Sequence, residues 1–228
     1  MTTKLERFLS ATLTIAAVLI AAAMVRREFF PASRPVALGG PGGPLEFDRD
    51  WRDLLAHSIP ETPPTAPVVL IEFVDLECPA CRGFHLNSLK AAREAFGAQL
   101  EMRFVHWPLA NHRFARPAAE AAECAGRQGR FLEFLDAVFN RQDSLGLKSW
   151  AAYARDAGVS DTQGFQSCVG RPDAIAARID SGVATAERKR FYGTPTVLVN
   201  GWRFPNPPSP SRLNEVIGDL VAGREPKP

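Results

Sequence analysis

Residues 68–81 read Val68-Val69-Leu70-Ile71-Glu72-Phe73-Val74-Asp75-Leu76-Glu77-Cys78-Pro79-Ala80-Cys81, and this stretch decides the fold. Its first seven positions form a nearly continuous apolar run rich in β-branched residues, the composition of a strand buried on both faces; Glu72 is its one charged member. Pro79 stands where a helix would begin, and Phe84, Leu86, Leu89 and Ala92 supply apolar positions on a helix running towards Phe96. Two cysteines three apart at a helix start can close a small disulfide. Cys78, as the cap, would hold its sulfur close to backbone N–H groups that have no partner inside the helix, which favours the thiolate, and Arg82 adds positive charge nearby. The same spacing also serves half of a zinc site or a structural disulfide. Cys124 and Cys168, the only other cysteines, are isolated and far apart, so they form no second metal knuckle and the zinc reading ranks behind the redox one.

Outward from this core, Leu100, Met102 and Phe104 alternate with Glu101 and Arg103 as a second strand. Strand, helix and strand in this order favour a parallel pair. Residues from Pro117 to about Tyr192 contain no convincing strand. They hold amphipathic stretches separated by Gly126, Gly129 and Gly158, with Phe131, Leu135, Val138 and Phe139 on one face and Ile175, Ile179 and Val183 on another. Strand composition resumes at Thr196 to Val199, Asn200-Gly201 is a two-residue hairpin turn, and Trp202 to Phe204 can return antiparallel. A last helix starts near Ser209-Pro210, carries Leu213, Val216, Ile217 and Leu220, and ends at Gly223.

The chain of 228 residues is long enough for one domain plus an anchor or linker. Its formal net charge is +2 with basic residues spread along its length, so no electrostatic stripe points to nucleic acid. Phe8 to Val25 is uncharged and as a helix would span about 27 Å, close to the thickness of a bilayer core. Lys4 and Arg7 before it favour a cytoplasmic N-terminus, although Arg26 and Arg27 weaken the contrast. The reading is a signal anchor at 1–28 with everything after it exported; a cleaved signal near Ala21-Ala22-Ala23 and secretion is the alternative. Either route leads to a compartment that permits disulfides. Residues 29–65 read as a Pro/Gly-rich tether with a short helix around Trp51, Leu54 and Leu55, a second proline-rich turn follows at Pro60 to Pro67, and the folded domain is expected over 66–228.

Gly193-Thr194-Pro195-Thr196 directly precedes the late strand; a proline there is also an ordinary edge residue. With this segment, and with Glu72 six residues before Cys78, Arg103-Phe104, Pro108-Leu109, Ala121-Ala122-Glu123-Cys124-Ala125 and Gln128-Gly129-Arg130-Phe131 in order and spacing, the chain resembles the DsbA-like branch of the thioredoxin superfamily over roughly 66–222. The resemblance implies a thioredoxin fold with a helical insertion at about 115–192, a cis-proline at Pro195 facing the redox pair with Thr194 holding the substrate backbone beside it, and a buried acid at Glu72. Burial would raise the Glu72 pKa and suit it to exchange protons with a thiol; an exposed or paired acid is the plainer reading. In some members of the family the helical block carries a structural disulfide, which would pair Cys124 with Cys168; two buried free cysteines are the alternative.

The activity so implied is thiol-disulfide exchange through Cys78 and Cys81, with no cofactor, acting on cysteine-containing secreted proteins and reoxidised by a quinone-linked membrane oxidase. A reductase or isomerase using the same pair, or a soft-metal-binding assembly module, are the alternatives. Ala80 departs from the family's strong oxidants, which often carry a histidine there that stabilises the thiolate. No separate dimerisation domain is visible, and a monomer is expected. His85, one turn after Cys81, reads as a packing or solvent-facing residue, His57, His106 and His112 show no ligand spacing, and Arg188-Lys189-Arg190 read as a solvated helix end.

Overall fold

The computed structural model describes residues 43–61, 66–171 and 173–227. The expected anchor at 1–28 and parts of the expected tether lie outside these residues; among the described residues no helix is long and apolar enough to cross a membrane. The described chain opens with strand β1 (Glu46–Phe47), a 3₁₀ turn at Trp51–His57 and β2 (Ile59–Pro60), then enters β3 (Val68–Val74). One helical rod follows in three parts: α1 (Pro79–Gly83), a π-helical stretch at Phe84–Leu89, and α2 (Lys90–Phe96). After β4 (Leu100–His106) come α3 (Ala115–Gly126), α4 (Phe131–Asn140), α5 (Trp150–Asp156), α6 (Thr162–Val169) and α7 (Asp173–Arg188). The chain closes with β5 (Thr196–Val199), β6 (Trp202–Arg203) and α8 (Pro210–Val221).

The strands form one sheet in the order β1-β6-β5-β3-β4-β2. β3 is parallel to β4 and antiparallel to β5, with Glu72 opposite Phe104 on one side and Val197 on the other. Successive side chains of a strand point to opposite faces, and both faces here are covered, which is why the run 68–74 is apolar almost throughout. Val68, Leu70 and Val74 join Leu100, Met102, Phe104, Phe84, Leu89 and the inner faces of α3, α4 and α8 in the larger core. Ile71 and Phe73 join Trp51, Leu54, Val105, Trp107 and Ala186 in the smaller core on the opposite face. Gly182 of α7 is part of this close approach, since a Cβ there would run into the His106 carbonyl.

The hairpin at Asn200-Gly201 forms as the dipeptide predicts, both residues at positive φ (45° and 90°). Asn200 also extends the ladder: its N–H donates to the Val69 carbonyl at 2.9 Å and its Oδ1 accepts from the Val69 N–H at 2.8 Å. The segment expected to be tether, short helix and proline-rich turn contributes two edge strands as well. β2 pairs antiparallel with β4, and Pro60 is tolerated there because an edge position does not require its N–H; the next residue, Glu61, donates to Met102 O at 3.0 Å. A disulfide joins Cys124 of α3 to Cys168 of α6, with Cα atoms 5.8 Å apart.

Candidate active site

The parallel crossover from β3 through the helix to β4 places the strand's C-terminal end and the helix start at one point, and Cys78 and Cys81 stand there. Cys78 is the N-cap of α1 with Pro79 following it, and Cys81 lies one turn on, fully buried. Both cysteines are free thiols, and Cys78 keeps 7% exposure. The loop before β5 reaches the same place. The Thr194–Pro195 peptide bond is cis, and Cys78 Sγ lies 3.3 Å from the Thr194 carbonyl oxygen.

The two sulfurs have opposed acidities. The Cys78 pKa is lowered to about 6, first by the hydrogen bond that the Cys81 thiol offers its sulfur. Burial opposes this, but the Thr194 side chain and the backbone N–H groups of Cys81 and Ala80 add to the lowering. No backbone N–H reaches full capping geometry on the sulfur. As a thiol, Cys78 donates to the Thr194 carbonyl; as a thiolate it draws on the Thr194 hydroxyl, whose oxygen is buried and has no other hydrogen-bond partner among the described residues. Cys81 is pushed well above the usual thiol value, first by burial, then by its hydrogen bond to Cys78 and the charges of Cys78 and Glu72. Arg82 forms a solvent-exposed ion pair with Asp143 at 3.3 Å.

Glu72 is fully buried, and neither carboxyl oxygen has a hydrogen-bond partner among the described residues. Burial raises its pKa well above the ordinary carboxylate value, and the Cys78 charge raises it further. A carboxyl whose pKa is raised in this way, on the same strand face as Val74 and Leu70, is chemically able to give or take a proton near the buried Cys81 thiol. We expect Glu72→Gln to slow attack by Cys81 on a mixed disulfide at least about ten-fold and to alter its pH dependence. Stopped-flow resolution rates across pH check this; superimposable profiles would leave the residue a packing role. The same variant should be more stable in urea above the ordinary carboxylate pKa. Below that pH both folded and unfolded states carry a neutral carboxyl; above it only the unfolded chain ionises, so the wild type loses stability with rising pH and the amide does not.

Three neighbours escaped the sequence reading. Gln142, in the short turn after α4, donates from Nε2 to Leu76 O at 2.8 Å and to Cys78 O at 3.1 Å, holding the backbone that leads into the pair. Asp75, 1% exposed, accepts from the Glu77 and Leu109 N–H groups and from His112 Nδ1. Nothing in the spacing of Asp75, His112 and Gln142 marks them, because the sheet and loops bring them together. His85, expected to pack or face solvent, is buried with Nε2 2.6 Å from Asp136 Oδ1; Ser88, on the same stripe, donates to Pro208 O at 2.7 Å. Helical spacing from Cys81 carries the signal for both. His106 is buried and its pKa falls to about 3, mainly through burial and then the Arg178 charge, so it stays neutral in the core. Among the described residues no group of three or more His, Cys, Asp or Glu side chains is placed to hold a metal ion.

Residues 63–219 match the family model described as Thioredoxin. Among solved structures, the chain is similar to a thioredoxin-like oxidoreductase from Silicibacter pomeroyi (TM-score 0.60, 25% identity, 77% of this chain and 96% of that one). It is also similar to BdbD from Bacillus subtilis (TM-score 0.64, 19% identity, 80% and 98%) and to alpha-DsbA1 of Wolbachia pipientis (TM-score 0.62, 21% identity, 73% and 92%). Curated relatives include Na(+)/H(+) antiporter NhaA 1 of Mycolicibacterium gilvum, 34% identical over 162 residues that make up 71% of this chain and 26% of the relative. Another is Na(+)/H(+) antiporter NhaA 3 of Salinispora tropica, 32% identical over 169 residues, 73% of this chain and 25% of the relative. The chain thus spans about a quarter of the length of these curated relatives.

Proposed function

The chain belongs to the thioredoxin family, whose match takes in both cysteines and the Thr194-Pro195 loop, and from that premise we propose that it is a DsbA-like thiol-disulfide oxidoreductase that introduces disulfides into exported proteins. The observation that carries this reading is the asymmetry of the pair: a slightly exposed Cys78 with a lowered pKa, and a buried Cys81 with a raised one. In the oxidised enzyme a substrate thiolate attacks Cys78 Sγ, the Cys78–Cys81 bond breaks, and Cys81 leaves and takes a proton. The substrate's second thiolate then attacks its own sulfur in the mixed disulfide and expels the Cys78 thiolate. Two electrons pass from the substrate dithiol to the pair, and the substrate gives up two protons.

A low pKa on the attacked cysteine stabilises the reduced enzyme and therefore makes the couple oxidising. Thr194 and Pro195 would align the substrate backbone beside Cys78, Glu72 would exchange the proton of Cys81, and the Cys124–Cys168 bridge would serve the helical block. The working context in this proposal is an anchor at 1–28 in the cytoplasmic membrane, or secretion after its cleavage, with a monomeric domain outside and a quinone-linked membrane oxidase as electron acceptor. Ala80, whose side chain brings neither charge nor hydrogen bond to the thiolate, favours a second reading in which the same residues run as a reductase or isomerase. Sodium–proton antiport forms no part of either reading, since the chain spans about a quarter of the relatives that bear that name.

The deciding experiment is oxidative refolding of a reduced, unfolded protein that needs disulfides. Stoichiometric oxidised enzyme should restore them with loss of its own disulfide, and the Cys78/Cys81 potential measured against glutathione should be more oxidising than a thioredoxin-like reductant. A strongly reducing couple that leaves the substrate unoxidised would transfer the assignment to the reductase reading.

A further inference from the structure

Asp75, the residue after β3, joins the redox pair to a histidine that lies 37 positions away. Its backbone N–H points at Cys81 Sγ (3.4 Å), and its carbonyl accepts from the Cys78 N–H (3.1 Å). Its buried carboxylate accepts at Oδ1 from Glu77 N–H (2.8 Å) and at Oδ2 from Leu109 N–H (2.9 Å) and His112 Nδ1 (2.8 Å). An acceptor on Nδ1 fixes that nitrogen as the donor and leaves Nε2 to gain or lose the proton. The imidazole is thereby oriented by the same residue that sets the backbone around both sulfurs.

Among the described residues, the ionisable groups Asp75, Cys78 and Glu77 act on His112. Partial burial lowers its pKa, but the hydrogen bond and charge of Asp75, with smaller contributions from Cys78 and Glu77, reverse this and raise it above the ordinary histidine value. Between the two cysteines Ala80 supplies no charge, and Arg82 pairs with Asp143. His112, held by Asp75 beside the backbone that carries both sulfurs, is a cation-forming group that the Cys78 charge acts on.

We propose that His112, held by Asp75, is a positioning residue whose imidazolium charge stabilises the Cys78 thiolate and so adds to the oxidising strength of the pair wherever His112 is protonated. The proposal rests on the redox reading above. When two electrons from a substrate dithiol break the Cys78–Cys81 bond, Cys81 takes one of the two protons the substrate releases. Cys78 remains a thiolate above about pH 6. That new negative charge raises the proton affinity of His112, which takes up a further fraction of a proton from the second.

The test compares wild type, His112→Gln and His112→Lys, each equilibrated with glutathione from about pH 6 to about pH 9, a range that spans histidine titration. The ultraviolet absorbance of the reduced proteins gives the thiolate fraction in parallel. In His112→Gln the thiolate fraction near pH 6 should fall about three-fold, and the equilibrium constant for reduction by glutathione about three- to five-fold. The second difference should vanish at the alkaline end, where the wild-type imidazole is neutral. His112→Lys should match wild type at acidic pH and keep the larger constant at alkaline pH. Equal constants for wild type and His112→Gln at every pH would overturn the inference while leaving the redox reading in place. Failure of the wild type to equilibrate with glutathione would instead remove the redox reading, and this inference with it.

Discussion

With Cys81 replaced by alanine, substrates should accumulate on Cys78 as mixed disulfides that survive non-reducing electrophoresis. The resolving thiol is the buried one, and without it no thiol of the enzyme can attack Cys78 Sγ to release the bound substrate. Cys78→Ala should trap nothing and lower turnover by at least about three orders of magnitude, as removal of a nucleophile does elsewhere. Wild-type Cys78 should react with an alkylating reagent along a titration centred at about pH 6, and Cys81 should stay silent across the neutral range. The sign of the linkage follows. A thiol whose folded pKa is depressed stabilises the reduced folded protein fully above the unfolded thiol's pKa, and this contribution fades as pH falls through about 6. Trapping by Cys78→Ala in place of Cys81→Ala would exchange the two roles.

The second large effect concerns stability alone. The Cys124–Cys168 bond closes a loop of 44 residues, and the chain-entropy argument assigns such a closure about 4 kcal/mol as an upper figure. The double variant Cys124→Ala with Cys168→Ala should therefore lose up to that amount in a denaturant titration of the oxidised proteins. Its exchange with glutathione at Cys78 and Cys81 should be unchanged, because the bridge ties α3 to α6 within the helical block. Loss of redox chemistry at unchanged stability would contradict this division of labour.

The sequence made the centre of the fold legible and left its margins obscure, for physical reasons. The run 68–74, the alternation at 100–104 and Asn200-Gly201 carry strong local signals, since burial on both faces, half-burial and left-handed turn geometry each restrict residue type. Strands of two residues at 46–47 and 59–60 have no room for a period, and Phe47 is exposed, so only pairing with Arg203 and Trp202 or with Phe104 and Arg103 reveals them. Within the site, Cys78, Cys81 and Glu72 lie in one short stretch and could be read together. Apart from the local Glu77 N–H contact of Asp75, Gln142, Asp75 and His112 act through side-chain hydrogen bonds whose partners are 34 to 66 positions distant, and no local pattern encodes such meetings.

The contact between Cys78 and the Thr194 carbonyl spans 116 positions of chain. A growing polypeptide offers the β3–helix–β4 unit long before residues 193–199 exist, and contacts of such separation form late. Until that final segment docks against β3, the two cysteines belong to an unfinished sheet and lack the hydroxyl and backbone that tune the outer sulfur. The full tuning of Cys78 is therefore a late acquisition during biogenesis. Truncated or stalled chains would present the pair with its own hydrogen bond and helix start but without the Thr194 contribution, and acquisition of that contribution would report that synthesis had passed residues 193–199.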